Sequence, residues 1–168
     1  NPDSLPVALD PQASGPDTHY KVLQAVTAAC DSYIKNAPGK SLKVWGYRNV
    51  WYRFGTHEST LMVPVTLQDI SSLDDMFLDC FETQREAEFP SPELNGPFSD
   101  LSRKVQIEQY TVLKVCLGRR WFQEHPSALV RSARGFVFVR EMNVEQLFDH
   151  SRTIREHNQV KLNTQSNE

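Results

Sequence analysis

Apolar and polar positions alternate most densely between Leu42 and Leu67, in LKVWGYRNVWYRFGTHESTLMVPVTL. Leu42, Val44 and Gly46 stand against Lys43, Trp45 and Tyr47; Val50, Tyr52 and Phe54 follow, then Leu61, Val63, Val65 and Leu67. A period of two in β-branched and aromatic residues predicts consecutive strands, with turns at 47–49 and 55–59. Pro64 has no amide proton to give to a ladder, so its strand is expected at a sheet edge or at a bulge.

Elsewhere the period is helical. Val22, Leu23, Val26, Cys30, Tyr33 and Ile34 predict a helix over 18–35, opened by Asp17 or Thr18 and stopped at Asn36-Ala37-Pro38-Gly39. Leu73, Met76, Phe77, Cys80 and Phe81 predict a second, from Ser71 or Ser72 to near Gln84, with Asp74, Asp75 and Asp79 off the apolar stripe. Val144, Leu147, Phe148, Ser151 and Ile154 predict another over 144–157, with Asn143 and Gln146 placed as a capping box. The segment VQIEQYTVLKVCL fits either one long helix or a strand, and its β-branched content favours a strand over 105–116. A short helix at 127–133, a buried strand at 134–139 and an edge strand at 159–162 complete the reading.

After residue 60 these elements run strand, helix, strand, strand, helix, strand, which is the ferredoxin-like order. The expectation is therefore a single α+β domain over 17–162, its sheet mixed or antiparallel and its helices mainly on one face, leaning towards ferredoxin-like order after residue 60. Residues 1–16, with Pro2, Pro6, Pro11 and Pro16, read as an extended or disordered leader. Residues 86–99 read as the longest internal loop and 163–168 as a disordered tail.

Composition narrows the function classes. The chain has 168 residues, enough for one domain with a real core. Its net charge of -3 gives no general attraction to nucleic acid or an anionic membrane, so such binding would need a local patch. No apolar run reaches the roughly 18 residues of a membrane span, and the first residues lack a signal-peptide pattern. Cys30, Cys80 and Cys116 are sparse and odd in number, as expected of buried free thiols in the cytoplasm or nucleus. They form no CxxC pair, so no zinc site is assigned.

Two patterns carry candidate binding chemistry. Arginine is interleaved with aromatics at Trp45, Arg48, Trp51 and Arg53, and again at Arg119, Arg120 and Trp121. Exposed Trp and Arg are what interface hot spots are enriched in. With Val50, Tyr52 and Phe54 facing inward, Trp51 and Arg53 would lie outward; the alternative buries Trp51 under the first helix. The second pattern is Arg134-Gly135-Phe136-Val137-Phe138-Val139-Arg140-Glu141. It resembles the third-strand motif of the RNA recognition motif at Arg134, Gly135, Phe136, Phe138 and Val139, and departs from it at Val137 and Glu141. The resemblance implies base stacking on Phe136 and Phe138 with Arg134 and Arg140 beside them; the alternative packs both rings in the core.

Catalytic patterns are absent as local motifs. His57-Glu58-Ser59-Thr60 sit too close in sequence for a triad, and His19, His125, His150 and His157 lack metal-ligand spacing. No catalytic residue, metal or cofactor is assigned. The expected function is a non-catalytic protein-interaction or assembly module in a larger intracellular complex; the alternative is RNA or single-stranded nucleic-acid binding. A protein partner is expected, no membrane is, and the oligomeric state is left open.

Overall fold

The computed structural model describes residues 4–10, 18–37, 39, 41–48, 52–82 and 96–165, with side chains to 159. In chain order the elements are β1 (Ser4–Ala8), α1 (Thr18–Asn36), β2 (Lys43–Tyr47), β3 (Leu61–Thr66), α2 (Leu67–Cys80), α3 (Phe98–Leu117), α4 (Arg119–Glu124), α5 (Ala128–Ser132), β4 (Ala133–Met142) and α6 (Val144–Gln165). The chain is an α+β protein with a mixed sheet of order β1-β2-β4-β3. The two edge strands, β1 and β3, each carry a proline, Pro6 and Pro64. A residue with no amide proton costs least there and blunts pairing with another chain. The chain divides into two compact units, residues 1–61 with 139–168, and residues 62–138.

In the first unit β1 runs parallel to β2, Leu5 opposite Val44 and Pro6 opposite Trp45. The other side of β2 meets β4 antiparallel, Val44 opposite Met142 and Trp45 opposite Glu141. Burial alternates strictly along β2: Val44 and Gly46 are buried, while Lys43, Trp45 and Tyr47 are exposed. Helices α1 and α6 pack on each other and against β1 and β2. The core joins Val7, Leu9, Leu23, Val44, Met142, Leu147 and Ile154. Asn143 and Gln146 cap α6 reciprocally: the Gln146 amide donates to Asn143 Oδ1 at 2.9 Å and the Asn143 amide to Gln146 Oε1 at 3.0 Å.

Three expectations are corrected here. Residues 4–10 of the leader are built into the unit: Val7 and Leu9 are buried, and the Leu9 amide donates to the Tyr47 carbonyl at 2.7 Å. Residues 52–55 are not a strand, so no hairpin spans 42–54 among the described residues. The expected edge strand at 159–162 and the start of the tail belong to α6, which runs to Gln165. Residues 11–16, Val50, Trp51, most of the 86–99 loop and the last three residues lie outside the described residues.

The second unit is helical around one end of β4. Helix α2 begins earlier than its apolar stripe suggests, because Thr66 and Asp69 form a capping box. The Asp69 amide donates to Thr66 Oγ1 at 3.3 Å, and the Thr66 amide to the Asp69 carboxylate at 2.8 Å. Of the stripe, Leu73 and Phe77 are half-buried, whereas Met76, Cys80 and Phe81 are exposed. Cys80 and Cys116 are thus exposed thiols; Cys30 is buried, and burial pushes its thiol up.

Residues 105–116 are helix, within α3. This removes the strand that the ferredoxin-like order needs, so that order is not formed. The β-branched residues that favoured a strand, Ile107, Val112 and Val115, face solvent, while Gln106 and Gln109 are buried. Gln109 Oε1 accepts the Phe138 amide of β4 at 3.2 Å. Gly135 lets β4 approach the same face of α3, since a β-carbon there would lie 2.9 Å from that of Gln106. Gly118, at φ 80°, ends α3 by donating to the Lys114 carbonyl at 3.0 Å.

Candidate binding surfaces

In the first unit Arg48 organises the loop after β2. Its Nη2 donates to Glu58 Oε1 at 2.8 Å and its Nη1 to the Arg53 carbonyl at 2.8 Å, with the guanidinium 4.3 Å from the Phe54 ring centre. Glu58 in turn accepts the Gly55 amide at 2.8 Å. That amide, and then the Arg48 charge, hold the Glu58 carboxyl below its ordinary range, against an opposing push from burial. Arg48 was expected at a partner surface; with its side chain 16% exposed it is internal support instead. Ser59 Oγ donates to the Gly55 carbonyl, and Thr60 Oγ1 accepts the Glu141 amide at 2.6 Å, so Glu58, Ser59 and Thr60 are occupied in holding the loop. Arg53 is half-buried and Arg140 exposed; Trp51 lies outside the described residues.

Trp45 stands on the outward face of β2. It is 41% exposed, and its indole Nε1 donates to Glu141 Oε2 at 3.3 Å across the strand pair. Glu141 also lies 3.5 Å from Lys43 Nζ. Tyr47, two residues on, shares the face and is 43% exposed, and exposed Pro6 lies opposite Trp45 on β1. The result is an apolar centre of Trp45, Tyr47 and Pro6 with an ion pair at its margin.

In the second unit Arg120 is paired with Glu124 at 2.8 Å along exposed α4. Trp121 is 42% exposed, its ring 4.6 Å from that of His125 and 4.9 Å from that of Phe122. Phe136 and Phe138 are buried. Phe136 stacks on Tyr110 at 5.7 Å and meets Phe122 edge-on at 6.0 Å, and neither ring has a face to offer a base. The resemblance of this strand to an RNA-binding strand is one of core packing.

Beside that aromatic cluster lies a cleft of about 370 Å³, lined by Lys114, Arg119, Gln123, Arg131 and Arg134 together with Tyr110 and Phe122. Among the described residues no carboxylate lines it. Arg131 Nη1 donates to the carbonyls of His125 and Pro126 at 2.7 and 2.8 Å, and Arg134 Nη1 to those of Ser132 and Ala133 at 3.2 and 2.9 Å. Lys114 Nζ sits 4.1 Å from the centre of the Tyr110 ring. The sequence motifs singled out Arg119 and Arg134, and missed Lys114 and Arg131. The overlooked signal is a local excess of charge: between Tyr110 and Phe138 stand Lys114, Arg119, Arg120, Arg131 and Arg134 against one acid, Glu124.

No protein-family model matches the chain, and neither does any curated protein or solved structure. Among the described residues no helix is long and apolar enough to cross a membrane.

Proposed function

We propose that the chain is a non-catalytic module that docks a protein partner within a larger intracellular assembly, with Trp45 at the centre of the contact. The observation that carries this reading is an indole held by Glu141 on a paired strand, yet 41% exposed and flanked by Tyr47 and Pro6. A fixed aromatic with its apolar face in water and a polar margin around it has the anatomy of an interface hot spot. Little side-chain entropy remains to be lost when such a ring is covered. The free cysteines, two of them exposed, support a reducing compartment, since exposed thiols are prone to oxidation elsewhere. A nucleic-acid reading through Phe136 and Phe138 lacks comparable support, because both rings are buried.

The test is a paired capture from native cell extract, with the wild-type chain and Trp45→Ala as baits, with and without nuclease and at two salt concentrations. The expected result is a protein held by the wild type after nuclease treatment and at high salt, and lost from the folded variant. Equal capture by both baits, or capture abolished by nuclease, would overturn the reading.

A further inference from the structure

We propose that the cationic cleft of residues 62–138 binds a phosphate monoester, through Lys114, Arg119, Arg131 and Arg134. Four cationic side chains line one cleft with no carboxylate beside them among the described residues, and Glu124, the one acid between Tyr110 and Phe138, is engaged by Arg120. Like charges gathered without a counterion repel, and the arrangement is relieved by an anion placed among them. Two of the arginines are held ready. Arg131 and Arg134 each give one Nη to two backbone carbonyls, which fixes the guanidinium plane, while their remaining N–H groups have no partner among the described residues. Arg119 has no ion pair or hydrogen bond among the described residues either, and Lys114 rests against Tyr110.

The charge count selects the ligand. A phosphate monoester carries close to two negative charges and three terminal oxygens, which three guanidinium forks and an ammonium can share. A carboxylate offers one charge and two oxygens. A nucleic-acid backbone offers phosphodiesters strung along a line, whereas these cations converge on one cleft of about 370 Å³. A long polyanion would also meet a chain of net charge -3. The volume, near the lower end of small-molecule pockets at about 300–1,000 Å³, suits a phosphate with a small organic group, for which Tyr110 supplies an apolar wall. That group has two sources, a phosphorylated side chain of a peptide or a free small phosphate ester. The site uses none of the residues around Trp45.

The experiment is calorimetric titration of the full chain with four probes: a phosphoserine peptide, its unphosphorylated twin, phenyl phosphate and a single-stranded oligonucleotide. Saturable binding of the phosphopeptide or of phenyl phosphate is expected, with none for the unphosphorylated twin. Tighter binding of the phosphopeptide assigns a peptide source; equal or tighter binding of phenyl phosphate assigns a free ester. Arg119→Gln and Lys114→Gln, both at exposed positions, should each weaken that binding about tenfold with an unchanged thermal midpoint. The inference is overturned if neither monoester binds, if the unphosphorylated peptide binds equally, if the variants bind like the wild type, or if the oligonucleotide binds more tightly than both monoesters.

Discussion

The side chain of Leu9 fills the space above Gly46: a β-carbon on residue 46 would lie 2.0 Å from Leu9 Cδ1 and 2.7 Å from its Cγ. Leu9 is 1% exposed, so it has nowhere to retreat. Gly46→Ala should therefore destabilise the chain by about 1–3 kcal/mol through overpacking, and Leu9→Ala by about 2–5 kcal/mol through the cavity it leaves. Combined, the two changes should cost less than their sum, because the smaller residue 9 makes room for the new methyl. Denaturant titration of the two singles and the double closes the cycle. Strict additivity would show that the two residues do not share that space.

Arg48 and Glu58 form a clip whose parts are Gly55, the Arg53 carbonyl and the Phe54 ring. Arg48→Ala leaves the half-buried Glu58 carboxylate without its cation and uncovers buried Phe54. Its expected cost is about 2–3 kcal/mol in a denaturant titration. A change under 0.5 kcal/mol, typical of a surface position, would return Arg48 to the list of contact residues.

What could be seen from the residues alone follows from how local each determinant is. Helices α1 and α6 were legible because their apolar period and, at Asn143 and Gln146, their cap are written within a few neighbouring residues. Helix α3 was not, because its buried face mixes Leu101 and Leu113 with Gln106 and Gln109: Gln109 is justified by the Phe138 amide, which lies 29 residues away. Strand β1 was hidden by Pro6, which reads as a loop residue until the strand is known to hold an edge. At the candidate surfaces, the outward direction of Trp45 was already present in the Lys43-Trp45-Tyr47 alternation. The burial of Arg48 depends on Glu58, and the cleft on α3, α4, α5 and β4 folding together, so neither could be seen in a short window.

Trp45 separates stability from binding. Its truncation removes an exposed ring and one 3.3 Å hydrogen bond, so the expected stability loss is about 1 kcal/mol or less. Loss of a hot spot weakens an interface by about 2 kcal/mol or more. Both quantities should be measured on the same Trp45→Ala protein, by chemical denaturation and by titration of the captured partner. A variant that binds as well as the wild type would exclude this ring from the contact.

His150 supplies a pH dependence of known sign. Its Nε2 is buried with no hydrogen-bond partner among the described residues, and burial first, then the charges of Arg140 and Arg48, hold the imidazole below its ordinary pKa. In the unfolded chain the same ring takes a proton near pH 6.5 (about the free value). Between the depressed folded value and that pH, the unfolded state binds more protons than the folded one. Stability is therefore full above about pH 6.5 and falls as pH drops through the folded value, with a slope of at most about 1.4 kcal/mol per pH unit from this one site. Glu58 acts in a lower window: its depressed carboxyl adds stability above the ordinary carboxylate pKa, and that stability is lost as pH falls through the folded value. Unfolding free energies at pH 7.5, 6.5 and 5.5 isolate the histidine. His150→Leu removes both the proton site and the unpaired nitrogen, so its stability should change less with pH over this range than that of the wild type. Parallel slopes for the two proteins would mean that another group titrates there and that His150 is not the source.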